Sequence, residues 1–512
     1  MVLPHHLTLA VPYRMRLLTP DYFLAPEWER EKLTNYFLAK AQNCCPCWKT
    51  LPSHLSANLA ILWHLGVDCS LLPSPSTLPT ASQILRIALM PLPESMALSL
   101  FLSPVIFLHP NPHPPLPSSP PMDKLFLLTI LCTAAVLATV SAEETLPFRM
   151  HRIDTVRTES CGVADFNNDG KRDIVAGEYI YLAPDWKRIK IREIPSTIND
   201  QGKGYANDFA NLPMDVDDDG FVDVISVDWF SKSAVWYRNP GKDFADGQLW
   251  TEHLIEKKDN FESADLWDDT GDGKKNQIVP AVRHTCWYEK IGPGTFAVHN
   301  ISGKTMTWGV GVGDINGDGR PDIIRPEAWF EAPADIRKGV WKEHPLNLLS
   351  HEPAMKNKDA SDIHVYDVNK DGLPDIIVGA AHDYGLFWYE QVRTEGAISW
   401  KMHVIDQSWS QVHAVTLADL DGCGEPEIVT GKRFMAHNGD DRGEFEPLGI
   451  YWYKLKRDGN TVTWQKNVLT DNEGIGAGMN IVVVDLNGNG RLDIVTTGKY
   501  GGPVWFENLG QK

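Results

Sequence analysis

From about residue 143 onward, short apolar runs alternate with tight polar punctuation, and the alternation repeats along the chain. The pattern D-x-[DN]-x-D-G-x-x-D, followed by an apolar β-branched run, begins at Asp165, Asp215, Asp268, Asp314, Asp367, Asp419 and Asp485, about 53 residues apart on average. Apolar residues precede each acidic stretch, as in Ile481 to Val484, and others follow it, as in Ile174-Val175 and Ile376-Ile377-Val378. Runs this short and this β-branched, bounded by Gly and Asp, predict strands and not helices. A third strand follows in each unit, as in Val235-Trp236-Tyr237 and Phe387-Trp388-Tyr389. A fourth carries the cue aromatic-x-x-His, as in Trp250 to His253 and Trp400 to His403. Four strands per repeat predict a propeller blade.

The ends of the array close the argument for an all-β, seven-bladed β-propeller. The seventh repeat stops after its third strand at Trp505-Phe506, while the missing fourth-strand cue stands at the other end, as Phe148-Arg149-Met150-His151. A ring closed by that N-terminal strand accounts for both facts, and closure removes unpaired sheet edges.

The acidic stretches carry the clearest chemistry. The full pattern places carboxylate or amide oxygens at positions 1, 3, 5 and 9 of a tight turn, with Gly at position 6 for the bend, which suits Ca²⁺. The complete sets are Asp165, Asn167, Asp169, Asp173; Asp215, Asp217, Asp219, Asp223; Asp314, Asn316, Asp318, Asp322; and Asp367, Asn369, Asp371, Asp375. Weaker sites are expected in the third loop (Asp268, Asp272, with Thr270 and Asn276), the sixth (Asp419, Asp421, Glu427, with Cys423 at position 5) and the seventh (Asp485, Asn487, Asn489, Asp493). An EF-hand needs a Glu at position 12, where this chain has Ala176, Ser226, Val279, Arg325, Val378, Thr430 and Thr496. A metal-free reading, in which these are merely acidic turns, would leave four carboxylate-rich sets repelling themselves without compensation.

These loops and their flanking strands resemble FG-GAP/VCBS repeats, the unit of integrin α-subunit propellers and of many secreted bacterial proteins. The likeness covers about 150–510 and, without a strict Phe-Gly/Gly-Ala-Pro cue, leans to the VCBS branch. It implies a calcium-stabilised propeller outside the cytoplasm and no single activity. More distantly, the chain is similar to the propeller part of aldos-2-ulose dehydratase/isomerase, a sugar lyase, although no cupin-like region follows the propeller.

Composition narrows the partners. The formal charge of −19 repels phosphate backbones, so nucleic acid is not expected. Residues 1–121 share nothing with the repeats, and Cys44, Cys45 and Cys47 lack the second pair that a zinc knuckle needs. Residues 122–142 read as a signal peptide, with a polar start, an apolar run from Leu125 to Val140 and small residues before the cut. Translation from Met122 explains its internal position. The alternative, a genuine extension with a membrane anchor, suffers from an apolar run that is short for a span. A secreted, periplasmic or cell-surface monomer without a transmembrane domain is expected, its propeller occupying 143–512.

Residues that differ between equivalent positions point to function better than residues that recur. On the face opposite the acidic loops, the sharpest cluster is His413, Lys432, His437 and Asp440, with His382 and Asp383 from the neighbouring blade; Asp208, Glu262, Asp362, His364, Arg325 and Lys499 share that face. Imidazoles and carboxylates at a channel mouth can ligate a transition metal such as Zn²⁺ or act as acid and base. Two functions follow: a binding module for an extracellular carbohydrate or protein, or a metal-assisted lyase or isomerase acting on a sugar derivative. The recurring His151, His253, His299, His344 and His403 are expected to be structural.

Overall fold

The computed structural model describes residues 146–244, 247–349, 359–459 and 461–510. The expected N-terminal extension over 1–121, the expected signal peptide over 122–142 and the expected propeller start at 143 lie outside the described residues. Among the described residues there are strands, one short 3₁₀ turn and no helix long and apolar enough to cross a membrane.

Seven four-stranded antiparallel sheets follow one another along the chain. Their innermost strands are Cys161–Ala164, Ala210–Met214, Ser263–Trp267, Gly311–Gly313, His364–Tyr366, Val412–Ala418 and Ile481–Val484, which number blades 1 to 7. In blade 7 the outermost strand is Phe148–Val156, paired with Gly502–Asn508. The innermost strand of blade 1 packs on those of both blade 2 and blade 7, so the ring is closed. The seven-bladed propeller expected from the sequence, closed by its N-terminal strand, is the fold.

The core lies in seven seams, one between each pair of blades. Successive side chains of a strand point to opposite faces, and each blade is covered on both. Ile376 and Val378 therefore enter the seam between blades 4 and 5, while Ile377 enters the seam between blades 5 and 6. Ile278 and Val279 divide in the same way between the two seams flanking blade 3. This is why the second strands read as continuous apolar runs and not as alternating ones.

The recurring histidines belong to this scaffold. His151, His253, His299, His344 and His403 each sit directly opposite a Trp of the third strand and stack on it, with ring centroids 3.9–4.4 Å apart. Four of them also hydrogen-bond a Glu two residues after that Trp, namely Glu507, Glu289, Glu331 and Glu390.

Candidate functional site

The acidic loops join the first and second strands and occupy one face of the ring. In all seven, a carboxylate oxygen of the first Asp accepts the N–H of the sixth-position Gly, at 2.7–3.0 Å. That Gly is left-handed (φ between +83° and +88°) with open space around it, so backbone conformation selects glycine there, not crowding. The fourth position is left-handed too, and is Gly in four loops, at Gly271, Gly317, Gly422 and Gly488.

The ninth-position carboxylates have a distinct place. Asp173, Asp223, Asp322, Asp375 and Asp493 are fully buried, and each accepts one N–H from loop position 2 and another from the third strand or the residue just after it. Glu427 makes the first of these bonds, to Leu420. Burial raises the carboxyls of Asp223, Asp322 and Glu427 to about 7 and those of Asp173 and Asp375 to about 6. In the third loop the repeat gains a residue. Gln277, not Asn276, heads the second strand opposite Trp267 and accepts the N–H of Lys290.

Metal-free loops are not left to self-repulsion, as the sequence argument supposed. Their oxygens accept backbone N–H groups, and cations lie against them: Arg238 on Asp217 and Asp219, Lys171 on Asp169, Arg320 on Asp318, and Lys454 on Asp421. The second loop is the best fit to a cation. Ligand oxygens of Asp215, Asp217 and Asp223 converge within 4.8 Å, and Asp215 keeps a buried Oδ1 with no hydrogen-bond partner. In the other six, both oxygens of the first Asp accept N–H groups.

The opposite face is where the seven-fold pattern breaks. Six residues before each acidic loop, one residue per blade stands at the channel mouth: Glu159, Glu262, Trp308, Ser361, His413 and Met479, with Phe209 in blade 2. Five of them line one small cavity together with Asp359 and His382. His413 is 4% exposed, and neither of its ring nitrogens has a hydrogen-bond partner. His382 stands edge-on to it, with centroids 4.5 Å apart. Burial, then the positive charge of Arg433, holds His413 well below the usual imidazole range.

A long crossing between the second and third strands of blade 6 folds over this mouth. Asn438 accepts the N–H of Gly204, and the Ala436 carbonyl accepts the hydroxyl of Tyr205, so the crossing reaches the segment leading into blade 2. It carries His437, stacked on His382 at 3.9 Å and 7°. Asp441 binds both rings at once, with Oδ2 2.8 Å from His382 Nδ1 and Oδ1 3.0 Å from His437 Nδ1. Burial works against the Asp441 charge, but the two imidazoles more than offset it and hold the carboxyl below its ordinary range.

The sequence-picked cluster is thus brought together in part. His382, His413 and His437 meet, whereas Asp440 is exposed and its neighbour Asp441 holds the rings. Lys432 is buried beneath the crossing, donating to Ser410 Oγ at 2.7 Å and to the Gly443 carbonyl; burial lowers its amine to about 8. Asp383 pairs with Arg442, and His364 bonds the Val415 carbonyl. Asp208 sits in a buried network with Arg192 and Thr158, and Arg325 clips three backbone carbonyls, so both are absorbed by the scaffold. Glu159 and Arg433, paired at 2.9 Å beside Lys499, had escaped notice. Glu159 shares the repeat position of Glu262 and His413, and aligning the seven repeats would have found it.

No protein-family model matches this chain, and no curated protein sequence matches it. The solved structures that match this chain include a lectin and a biofilm matrix protein. A lectin of Agrocybe aegerita, described as recognising non-reducing terminal N-acetylglucosamine, is 17% identical over 70% of this chain and 87% of its own, with a TM-score of 0.39. The V. cholerae biofilm matrix protein Bap1 is 12% identical over 69% of this chain and 77% of its own, with a TM-score of 0.29. At these scores the likenesses carry no argument about what this chain binds.

Proposed function

We propose that this chain is an extracytoplasmic propeller of the FG-GAP/VCBS kind, acting as a monomer, steadied by calcium in its hairpin loops, and binding a carbohydrate or a protein over the channel mouth. The open Asp215 oxygen and its converging carboxylates support calcium in the second loop. The observation that carries the binding reading is a pair of exposed aromatic rings on the channel face. Phe445 is 77% exposed on the blade 6 crossing, and Phe230 is 49% exposed on the equivalent loop of blade 2. The same face holds buried ionisable groups, His382, His413 and Lys432 among them, that an apolar scaffold does not need. Sugars stack their apolar faces on such rings and hydrogen-bond the polar groups beside them.

The test is a glycan array followed by calorimetry on the best ligand. Phe445→Ala and Phe230→Ala should each weaken binding about tenfold, on the scale of a stacking contact of about 1.4 kcal/mol. Binding that neither substitution affects would overturn the channel-face reading. A lyase or isomerase acting on a sugar derivative is the second reading, favoured by the three histidines beside the mouth; turnover of the bound sugar would select it.

A further inference from the structure

The channel-mouth cavity measures only about 10 Å³, enough for one water molecule or one ion. Three groups that can ligate a metal face one another across it. Ligand atoms of Glu262, His382 and His413 all lie within 4.8 Å of each other. Two ligands at about 2.1 Å from a common ion stand roughly 3.4–4.2 Å apart, so these side chains are already near bonding separation. His413 keeps two buried nitrogens with no protein hydrogen-bond partner, and leaving such a group unbonded is costly.

The surrounding hydrogen bonds fix the rings in the form a metal requires. An ionised carboxylate only accepts, so each nitrogen facing Asp441 must carry the proton. His382 and His437 therefore donate from Nδ1, and when neutral each leaves Nε2 with a free lone pair. A carboxylate behind the far nitrogen is the usual support of a metal-bound imidazole. Glu262 lies 3.9 Å from Arg433, and the carboxylates of Asp359 and Asp362 line the same cavity, so a cation there would meet acidic neighbours as well as its ligands.

We propose that Glu262, His382 and His413 hold one divalent transition-metal ion, Zn²⁺ by ligand type, at the mouth of the channel, with Asp441 as the positioning residue. Two imidazoles beside a carboxylate suit zinc, and imidazole nitrogen is a poor ligand for calcium, so this centre is chemically separate from the acidic loops. His437, stacked beside His382 and partly exposed, stands where a fourth ligand, or the ligand of the channel face, would approach. The inference rests on the channel-face reading only for what the ion serves; the ion itself is tested without knowing that ligand.

The experiment measures metal content in the full-length purified chain after dialysis, then titrates the metal-free protein with Zn²⁺ alone and Co²⁺ alone. One equivalent of zinc and a visible Co²⁺ absorption band are expected. His413→Ala should abolish both. Asp441→Asn should weaken Zn²⁺ 10–100-fold while leaving the circular dichroism and calcium content unchanged. Should His413→Ala fail to fold, the Asp441→Asn titration still decides. No zinc or cobalt uptake by the wild-type chain overturns the centre, and so does zinc retained undiminished in both variants. Zinc bound with no glycan or protein ligand found would sink the binding proposal and leave the metal centre standing.

Discussion

Replacing the ninth loop carboxylate separates its two possible roles, and Asp322 is the position to use. Its side chain is fully buried, with Oδ2 accepting the N–H of Ile315 at 3.1 Å and Oδ1 accepting that of Ala332 at 2.7 Å. Asp322→Ala leaves two buried N–H groups without a partner, at about 1–3 kcal/mol each, so a loss of about 2–6 kcal/mol is expected. Asp322→Asn keeps one acceptor but turns an NH₂ toward the other N–H, for a loss of about 1–3 kcal/mol. Removing the charge costs little by itself, because burial already raises this carboxyl to about 7. The third loop carries the amide version naturally: Gln277 accepts the N–H of Lys290 and spends its NH₂ on Asp269.

The assay is urea unfolding at pH 7, run in a calcium chelator and again in 1 mM calcium. A backbone cap predicts the order wild type, Asn, Ala in both buffers, with the full loss already present in the chelator. A difference within 0.5 kcal/mol of wild type in the chelator, emerging only with calcium, would refute the cap argument and leave Asp322 a metal ligand alone.

Chelation should lower the melting temperature of the wild type, and Asp215→Asn should remove the second loop's share of that calcium response, since each site of extracellular affinity contributes roughly 1 kcal/mol at about 1 mM calcium. Acid should weaken the Trp-His-Glu stacks. The hydrogen bond from His344 holds Glu331 below its ordinary range, so its contribution is complete above the unfolded value of about 4.3 and lost as pH falls through the lower folded value. A pH series of melts should therefore show Glu331→Gln losing less stability than wild type below about pH 4. Finally, His413→Leu should raise the melting temperature of metal-free protein, because two unpartnered buried nitrogens disappear; a lower value would mean the imidazole is better satisfied than its contacts indicate.

The blade count, the strand order and the closing strand were legible because each is written redundantly. Seven loops repeat the same Asp and Gly, and the second strands are apolar on both faces because both faces meet a seam. The loop insertion at Asn276-Gln277 was not legible, since two adjacent amides fit the pattern equally well and only the pairing of Trp267 with Gln277 separates them. The site was half legible. His382, His413 and His437 stood out by breaking the repeat, but neighbouring Asp440 and Asp441 differ only in which one the turn aims inward. Part of the loops' counter-charge comes from other strands or neighbouring blades, as with Arg238 and Lys290 for the second loop, and was not legible, whereas Lys171 and Arg320 sit within their own loops.

A symmetric scaffold makes its exceptions informative. Inner strands must fill seams on both sides, and loop positions 1, 6 and 9 are committed to backbone hydrogen bonds or to a left-handed turn, so little variation is tolerated there. The position six residues before each loop carries no such duty, and the seven blades fill it with Glu, Phe, Glu, Trp, Ser, His and Met. Were stability the only demand, apolar residues at all seven would do better, because a buried ion pair such as Glu159–Arg433 rarely outperforms well-packed hydrocarbon. An unpartnered imidazole such as His413 is costlier still. The seams supply the stability that lets the mouth carry groups the fold does not need, which is why the proposed binding is assigned to the mouth.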